Sequence, residues 1–312
     1  MLAEFRLSTG TVSRMDFERI KRSYRNWRRM HVCARPPDMP EPFFATDDLD
    51  ELHRFFQSTS VETKIDPGPA RVLNGNCAVC GVNVDFVVEQ PVDGSPINWR
   101  ETLKCPQCEM INRWRGCLHL FEAVCMPFSE DRVYLTEALS PVCERLESRL
   151  PLLVSSEYLP GAEPGEIVEI HDRPVRHEDV TQLSFEDCSL EAVLSFDVLE
   201  HVPDYRRALS EFHRVLVKGG QLLISVPFSF LQETLVRAIE RDDGTIEHLV
   251  EPCYHGDPLS SGGVLSYYDF GMDLLEELGR AGFSERFVVC YSNSGWGYLD
   301  DNVVFVARKL KK

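Results

Sequence analysis

The chain is 312 residues long, 43% hydrophobic and 27% charged, with 33 Lys and Arg against 50 Asp and Glu. That length holds one large core and a smaller module, and the formal net charge of −17 excludes a nucleic acid as the default partner, because phosphate binding needs clustered Lys and Arg. No run of eighteen apolar residues marks a membrane span, and the first ten residues lack the apolar stretch of a secretory signal. Eleven cysteines without such a signal point to reduced thiols and metal ligation in a cytoplasmic protein rather than to disulfides.

In chain order, residues 1–70 read as an N-terminal helical segment. Residues 14–29 are basic, with Met15, Phe17, Ile20, Tyr24 and Trp27 interleaved, which suits a helix with one basic face. Contact with RNA, an acidic partner or a membrane surface is open to such a helix. A solvated helix packed on its own protein is the preferred reading, since charge runs usually mark exposed faces. Pro36, Pro37, Pro40 and Pro42 break the segment, and a second helix is expected over Asp47–Gln57.

Residues 71–118 form a separate unit punctuated by cysteines. Cys77 and Cys80 make one C-x-x-C knuckle, Cys105 and Cys108 a second, with twenty-four residues between them. Four thiolates satisfy tetrahedral zinc, and a C-x-x-C turn brings two sulfurs to one metal. Gly81 follows the first knuckle. Val82–Glu89 and Asn98–Leu103 alternate enough to form a hairpin across Gly94, Ser95 and Pro96. The unit resembles a zinc ribbon with a closed, structural Zn2+ site. Asn112, Arg113, Trp114 and Arg115 are expected to pack it against the rest rather than to bind a partner. Cys33, Cys117 and Cys125 fall outside the spacing and read as small buried apolar residues.

Residues 119–312 alternate strands and helices, the pattern of a parallel sheet. Ala192–Phe196 and Gln221–Val226 are apolar strands flanking an amphipathic helix that starts after Asp204 and is expected to stop at Gly219 and Gly220. Ser229–Asp269 breaks the alternation and is long enough to be functional. A helix follows near Asp273–Arg280. Phe287–Tyr291 and Val303–Ala307 then read as strands joined by a hairpin, with Gly295 and Gly297 in a turn because no helix follows them.

Residues 187–228 resemble the middle of class I S-adenosylmethionine-dependent methyltransferases, type 11 small-molecule branch. The matching residues are Asp187, Ser189, Val193, Val198, Leu199, Glu200, His201, Val202 and Asp204, then Arg214, Val215, Leu216, Lys218, Gly219 and Gly220. Leu190 and Glu191 stand where the family has Phe-Asp. The resemblance spans about residues 131–309 and is dense over 179–228. It implies an α/β Rossmann-like seven-stranded sheet, mostly parallel with an antiparallel closing strand, and S-adenosyl-L-methionine as cofactor. Counting back, Val133–Leu135 becomes the first strand, with Glu137 in the family's acidic position and no glycine after it. Ser140 and Pro141 suit a helix start whose free N–H groups could meet the cofactor's carboxylate. Glu157 ends the apolar strand Leu152–Glu157, twenty residues after Glu137, and suits the ribose hydroxyls. Asp179 and Val180 take the adenine-contacting position, and Asp197 closes the cofactor set.

Methyl transfer is an in-line displacement in which the enzyme aligns the reactants and can supply a base. His201 at the mouth of the fourth strand, and His248 and His255 in the irregular segment, are the candidate catalytic groups. Asp197, Glu200 and His201 also resemble the divalent-metal site of some ubiquinone-pathway and small-RNA methyltransferases, with His255 able to complete it. The alternative is a hydrogen-bonding role for His201 without metal. The acceptor expected is a small molecule or glycan-type hydroxyl. Two other readings stay open: an inactive scaffold whose glycine-free loop binds no cofactor, and a methyltransferase acting on RNA or protein docked by the ribbon.

Overall fold

A computed structural model describes residues 22–23, 39–63, 72–88, 96–257 and 259–310. The basic stretch 14–29, apart from residues 22–23, and Pro36, Pro37, Gly94 and Ser95 lie outside the described residues. Chain order begins with β1 (Phe43–Thr46) and α1 (Leu49–Thr63), the helix expected over Asp47–Gln57. Asp48 starts α1 by accepting the Glu51 N–H at 2.8 Å.

The cysteine unit contains β2 (Val72–Cys77), β3 (Val82–Val88), a one-turn helix α2 (Trp99–Thr102) and β4 (Leu103–Lys104). Its main hairpin is not the one expected across Gly94, Ser95 and Pro96. β3 pairs with β2 upstream, from Val72 opposite Val87 to Cys77 opposite Val82, so the first knuckle is the hairpin turn. Only Leu103 and Lys104 join β3 from the other side. The rest of Asn98–Leu103 is helical because Asn98 and Glu101 have capping spacing: the Asn98 Oδ1 accepts the Glu101 N–H at 3.3 Å.

α3 (Asn112–Cys125) crosses the boundary expected at residue 118. It is followed by β5 (Val133–Leu135), α4 (Pro141–Glu147), β6 (Val154–Glu157), β7 (Ile167–Ile170), β8 (Arg173–His177), β9 (Leu190–Phe196), α5 (Tyr205–Val215) and β10 (Leu216–Ser225). α5 opens on an Asp204 cap that accepts the Arg207 N–H. It ends before the glycines, which are not its stop. Leu216 already pairs with Leu190, and the register shifts between Leu216 and Gln221. Gly219 has φ +82° in that bulge, a conformation L side chains rarely adopt.

Ser229–Asp269 folds into short antiparallel pairs. β11 (Leu235–Val236) pairs with β16 (Tyr268–Asp269), β12 (Ala238–Glu240) with β13 (Ile246–His248), and β14 (Tyr254–Asp257) with β15 (Ser260–Leu265). The chain closes with α6 (Leu274–Arg280), β17 (Glu285–Asn293) and β18 (Tyr298–Arg308).

One sheet organises the molecule, in the order β1-β17-β18-β10-β9-β5-β6-β8-β7. Strands β10, β9, β5, β6 and β8 are parallel. β18 runs antiparallel between β10 and β17. The inner seven strands, β17 to β8, thus form the mostly parallel Rossmann-like sheet that the resemblance implies, with β18 its antiparallel closing strand. β1 and β7 extend its two edges, each antiparallel to its neighbour. Side chains alternate across it with period two. Tyr134, Val193, Leu222, Ile224 and Phe305 face a core shared with α1, α5 and α6. Val133, Leu135, Leu194, Leu223 and Val306 face one shared with α3 and α4. Parallel strands buried on both faces explain the continuous apolar run of β9.

Candidate active site and metal centre

The four knuckle cysteines converge as their spacing requires. Cys77 Sγ lies 3.8 Å from Cys108 Sγ, and Cys80 Sγ 3.8 Å from Cys105 Sγ. All four sulfurs lie within 4.8 Å of one another. A tetrahedron with metal–sulfur bonds of about 2.3 Å has edges of about 3.8 Å, so the cysteines fit a zinc ion. Gly81, at φ +72°, makes the turn that brings the Gly81 N–H to the Cys77 carbonyl at 2.7 Å.

The ribbon is fastened to the sheet through α3. Arg115 is fully buried, donating to the Trp296 and Gly297 carbonyls at 3.1 and 2.8 Å, with the Phe86 ring 4.0 Å from its guanidinium carbon. Asn112 Nδ2 donates to the Leu299 carbonyl at 2.7 Å. This is the packing role expected of the Asn112–Arg115 stretch, except at Arg113.

At the carboxyl edge of the sheet, where ligands of open α/β folds bind, four acids stand in chain order. Glu137 follows β5. Its Oε1 is closed off from solvent and makes no hydrogen bond. Burial pushes its carboxyl up to about 8, against the attraction of Arg113, with the charges of Asp197 and Glu157 adding to the rise. Glu157 ends β6, and its Oε1 accepts the Leu139 N–H at 2.8 Å. Asp179 lies two residues past β8 and caps a turn, its Oδ1 accepting from the N–H and hydroxyl of Thr181 at 2.8 and 2.7 Å. Val180 is buried in the core with Leu183 and Tyr134. Asp197 follows β9 in a left-handed conformation, φ +55°.

Asp197 meets two arginines that sequence reasoning missed. Arg100 of α2 grips it bidentately, 2.7 Å for each nitrogen–oxygen pair. Arg113 Nε stands 3.2 Å from Asp197 Oδ2, and the Ser225 hydroxyl donates to Oδ1 at 2.7 Å. Glu101 bonds both arginines. Burial would raise the Asp197 carboxyl, but Arg100 and Arg113 hold it well below the usual carboxylate range. The capping spacing of Asn98 and Glu101 was the one signal that a helix there would aim Arg100 away from the ribbon sheet.

The glycine-free loop after β5 uses its donors internally. The Ala138 N–H goes to the Ser156 carbonyl at 3.0 Å and the Leu139 N–H to Glu157. Ser140 caps α4 through the Cys143 N–H at 3.2 Å. The helix start expected to meet a cofactor carboxylate therefore caps itself. Ala138 and Leu139 pack with Leu159 and Val175.

The turn after Asp197 presents Glu200 and His201 toward the short antiparallel pairs of Ser229–Asp269. Glu200 is fully buried, with neither carboxylate oxygen hydrogen-bonded. His255 Nδ1 lies 3.4 Å and His201 Nε2 3.7 Å from its Oε1. The two rings meet edge to face at 5.0 Å. His201 Nδ1 is 2.8 Å from the Leu265 carbonyl, so that nitrogen carries the proton and Nε2 faces Glu200. Burial raises the Glu200 carboxyl, and the Glu200 carboxylate beside His255 raises the imidazole. His201 and His255 thus come together, whereas His248 sits exposed on the β12–β13 hairpin.

Residues 162–224, from the lead-in of β7 through most of β10, match the Methyltransferase domain family. A probable S-adenosylmethionine-dependent methyltransferase of Mycolicibacterium smegmatis is 40% identical over 53 residues, 17% of this chain. The match covers only 21% of that relative's length. Among solved structures, an S-adenosylmethionine-dependent methyltransferase from Mesorhizobium loti is 15% identical, covering 64% of this chain and 99% of that one with a TM-score of 0.41. The 1,6-didemethyltoxoflavin-N1-methyltransferase of Burkholderia thailandensis, with its substrate and S-adenosylhomocysteine bound, is 18% identical over 64% of this chain and 78% of its own, TM-score 0.36. The Rossmann-like fold is read from the strand order itself. Among the described residues no helix is long and apolar enough to cross a membrane.

Proposed function

We propose that the chain is an S-adenosylmethionine-dependent methyltransferase acting on a small-molecule or glycan-type hydroxyl, with a structural zinc ribbon. The observation that carries this is the row of Glu137, Glu157, Asp179 and Asp197 along the carboxyl edge of the sheet. Polar atoms that are buried and unpaired, among them Glu137 Oε1, Thr136 Oγ1 and Arg113 Nη1, support it, since such atoms in a native site call for an occupant. The cofactor supplies an electrophilic methyl group. Glu157 and Asp179 stand where ribose and adenine bind in this fold, and Val180 packs beneath them.

His255 is placed to act as base. Glu200 holds it and strengthens its hold on a proton, and His201 fixes the other side of Glu200. With the cofactor bound to supply the methyl group, His255 would take the proton that the acceptor hydroxyl gives up on methylation. His248, the third candidate, is exposed on the β12–β13 hairpin and has no part in this proposal. A second reading is favoured by one observation: ligand atoms of Glu200, His201 and His255 lie within 4.8 Å of one another. One carboxylate and two imidazoles suit a divalent transition-metal ion. Under that reading, Mn2+ binds the wild type and not Glu200→Gln in calorimetry.

Four cysteines that converge as metal ligands fit reduced thiols and work in the cytoplasm. The test of the main reading is calorimetric titration with S-adenosylhomocysteine. Saturable binding is expected. No heat of binding at millimolar ligand would instead favour an inactive scaffold.

A further inference from the structure

A cofactor with a methionine tail brings a carboxylate, and the loop that would ordinarily receive it has no glycine and turns several of its donors inward. Of its backbone N–H groups, those of Thr136, Ala138, Leu139 and Cys143 are committed to Leu194, Ser156, Glu157 and Ser140. A buried side-chain donor without a partner comes from elsewhere in the chain. Arg113, the second residue of α3, has its side chain only 11% exposed. Its Nε and Nη2 bond the Glu101 carboxylate at 2.9 and 3.2 Å, while its Nη1 is closed off from solvent without a hydrogen-bond partner. A guanidinium nitrogen only donates, so a buried Nη1 requires an acceptor. Its charged neighbours are Asp197, Glu101 and Glu137, and Asp197 and Glu137 follow β9 and β5, where the amino-acid end of the cofactor would lie.

We propose that Arg113 is the carboxylate-binding residue of the cofactor site, delivering Nη1 to the methionine carboxylate in place of the missing glycine-loop amides. Arg100 positions it: by holding Asp197 bidentately, Arg100 keeps that acid from rotating to claim Nη1. The site is therefore composite. Its nucleoside half comes from the sheet edge. Its amino-acid half comes from α3 and the ribbon's one-turn helix. This inference rests on the cofactor reading above, and its test separates the two.

S-adenosylhomocysteine, its carboxamide analogue and 5′-methylthioadenosine, which has no amino-acid part, are titrated into the zinc-loaded full chain. In the wild type the carboxamide should bind about 10–100-fold more weakly than the acid, the range expected for losing a charge-assisted hydrogen bond. Arg113→Gln should weaken S-adenosylhomocysteine to the same extent and leave 5′-methylthioadenosine unchanged, with Arg113→Lys recovering part of the loss. Equal wild-type affinity for acid and carboxamide overturns the proposal without any variant having to fold. So does an equal loss of both natural ligands in Arg113→Gln. A wild type that binds none of the three overturns the cofactor reading itself.

Discussion

Burial lifts the Glu137 carboxyl to about 8 from an unperturbed 4.5, so the folded chain holds a proton there that the unfolded chain has already released. Its contribution to stability is full below about pH 4.5 and is lost as pH rises through about 8, because over that window only the folded state binds the proton. Glu137→Gln should flatten that window. Urea midpoints at about pH 6 and about pH 9 would show a larger fall in the wild type than in the variant. Equal falls would mean that other groups set the slope. Gly116 makes a second residue-scale case. A Cβ there would meet the Tyr291 ring at 2.3 Å, and both residues are in the core. Gly116→Ala should cost about 1–3 kcal/mol through overpacking, read as a lowered melting temperature. An unshifted melt would show that the ring moves aside freely. The acids proposed for the site were picked out by their order along the chain and by the family resemblance, each at or just past the end of a strand. Arg100 and Arg113 were not, since Arg100 reaches Asp197 across 97 residues of sequence, and no local pattern encodes such a contact.

At the scale of elements, the strands of the large sheet were readable from their apolar runs, and α4 and α5 from their caps. The misreadings have physical reasons. Asn98–Leu103 alternates like a strand, but Asn98 finds the Glu101 N–H and the segment closes into a turn of helix. Gly219 and Gly220 look like a helix stop, yet β10 begins at Leu216 and the glycines instead form a bulge beside β18, with the Gly219 N–H bonding the Lys309 carbonyl. The edge strands β1 and β7 add to a complete seven-stranded sheet, so nothing in the pattern of the inner strands announces them. Arg115 ties three elements together, with two carbonyls of the β17–β18 turn on its guanidinium and Phe86 of β3 against its face. Arg115→Met keeps the stem and removes the donors, leaving the Trp296 and Gly297 carbonyls without it. About 1–3 kcal/mol per unsatisfied buried group is the expected penalty. A urea midpoint matching the wild type would show that solvent takes over both carbonyls.

For the whole molecule, the decisive question is whether the ribbon is an appendage or part of the site. Its own core is small: Cys77, Val84, Phe86, Val88, Leu103, Cys105 and Leu299, the last contributed by β18. A unit that size needs the zinc ion proposed for its four cysteines. Leu299, Arg115 and Asn112 spread the contact over both parts, and Arg100 of α2 ends on Asp197 at the sheet edge. Removing zinc with an excess of chelator should therefore do two things together. The melting transition should move down as one event, because the two cores share residues. S-adenosylhomocysteine should also bind more weakly, because Arg100 no longer restrains Asp197 and Arg113 loses its defined place. Hydrogen exchange gives the control, since the amides of β2 and β3 should lose protection while those of β9 and β10 keep theirs. If those ribbon amides open on chelation and S-adenosylhomocysteine binds as tightly as before, the ribbon is a separate module and the arginines reach the site without it.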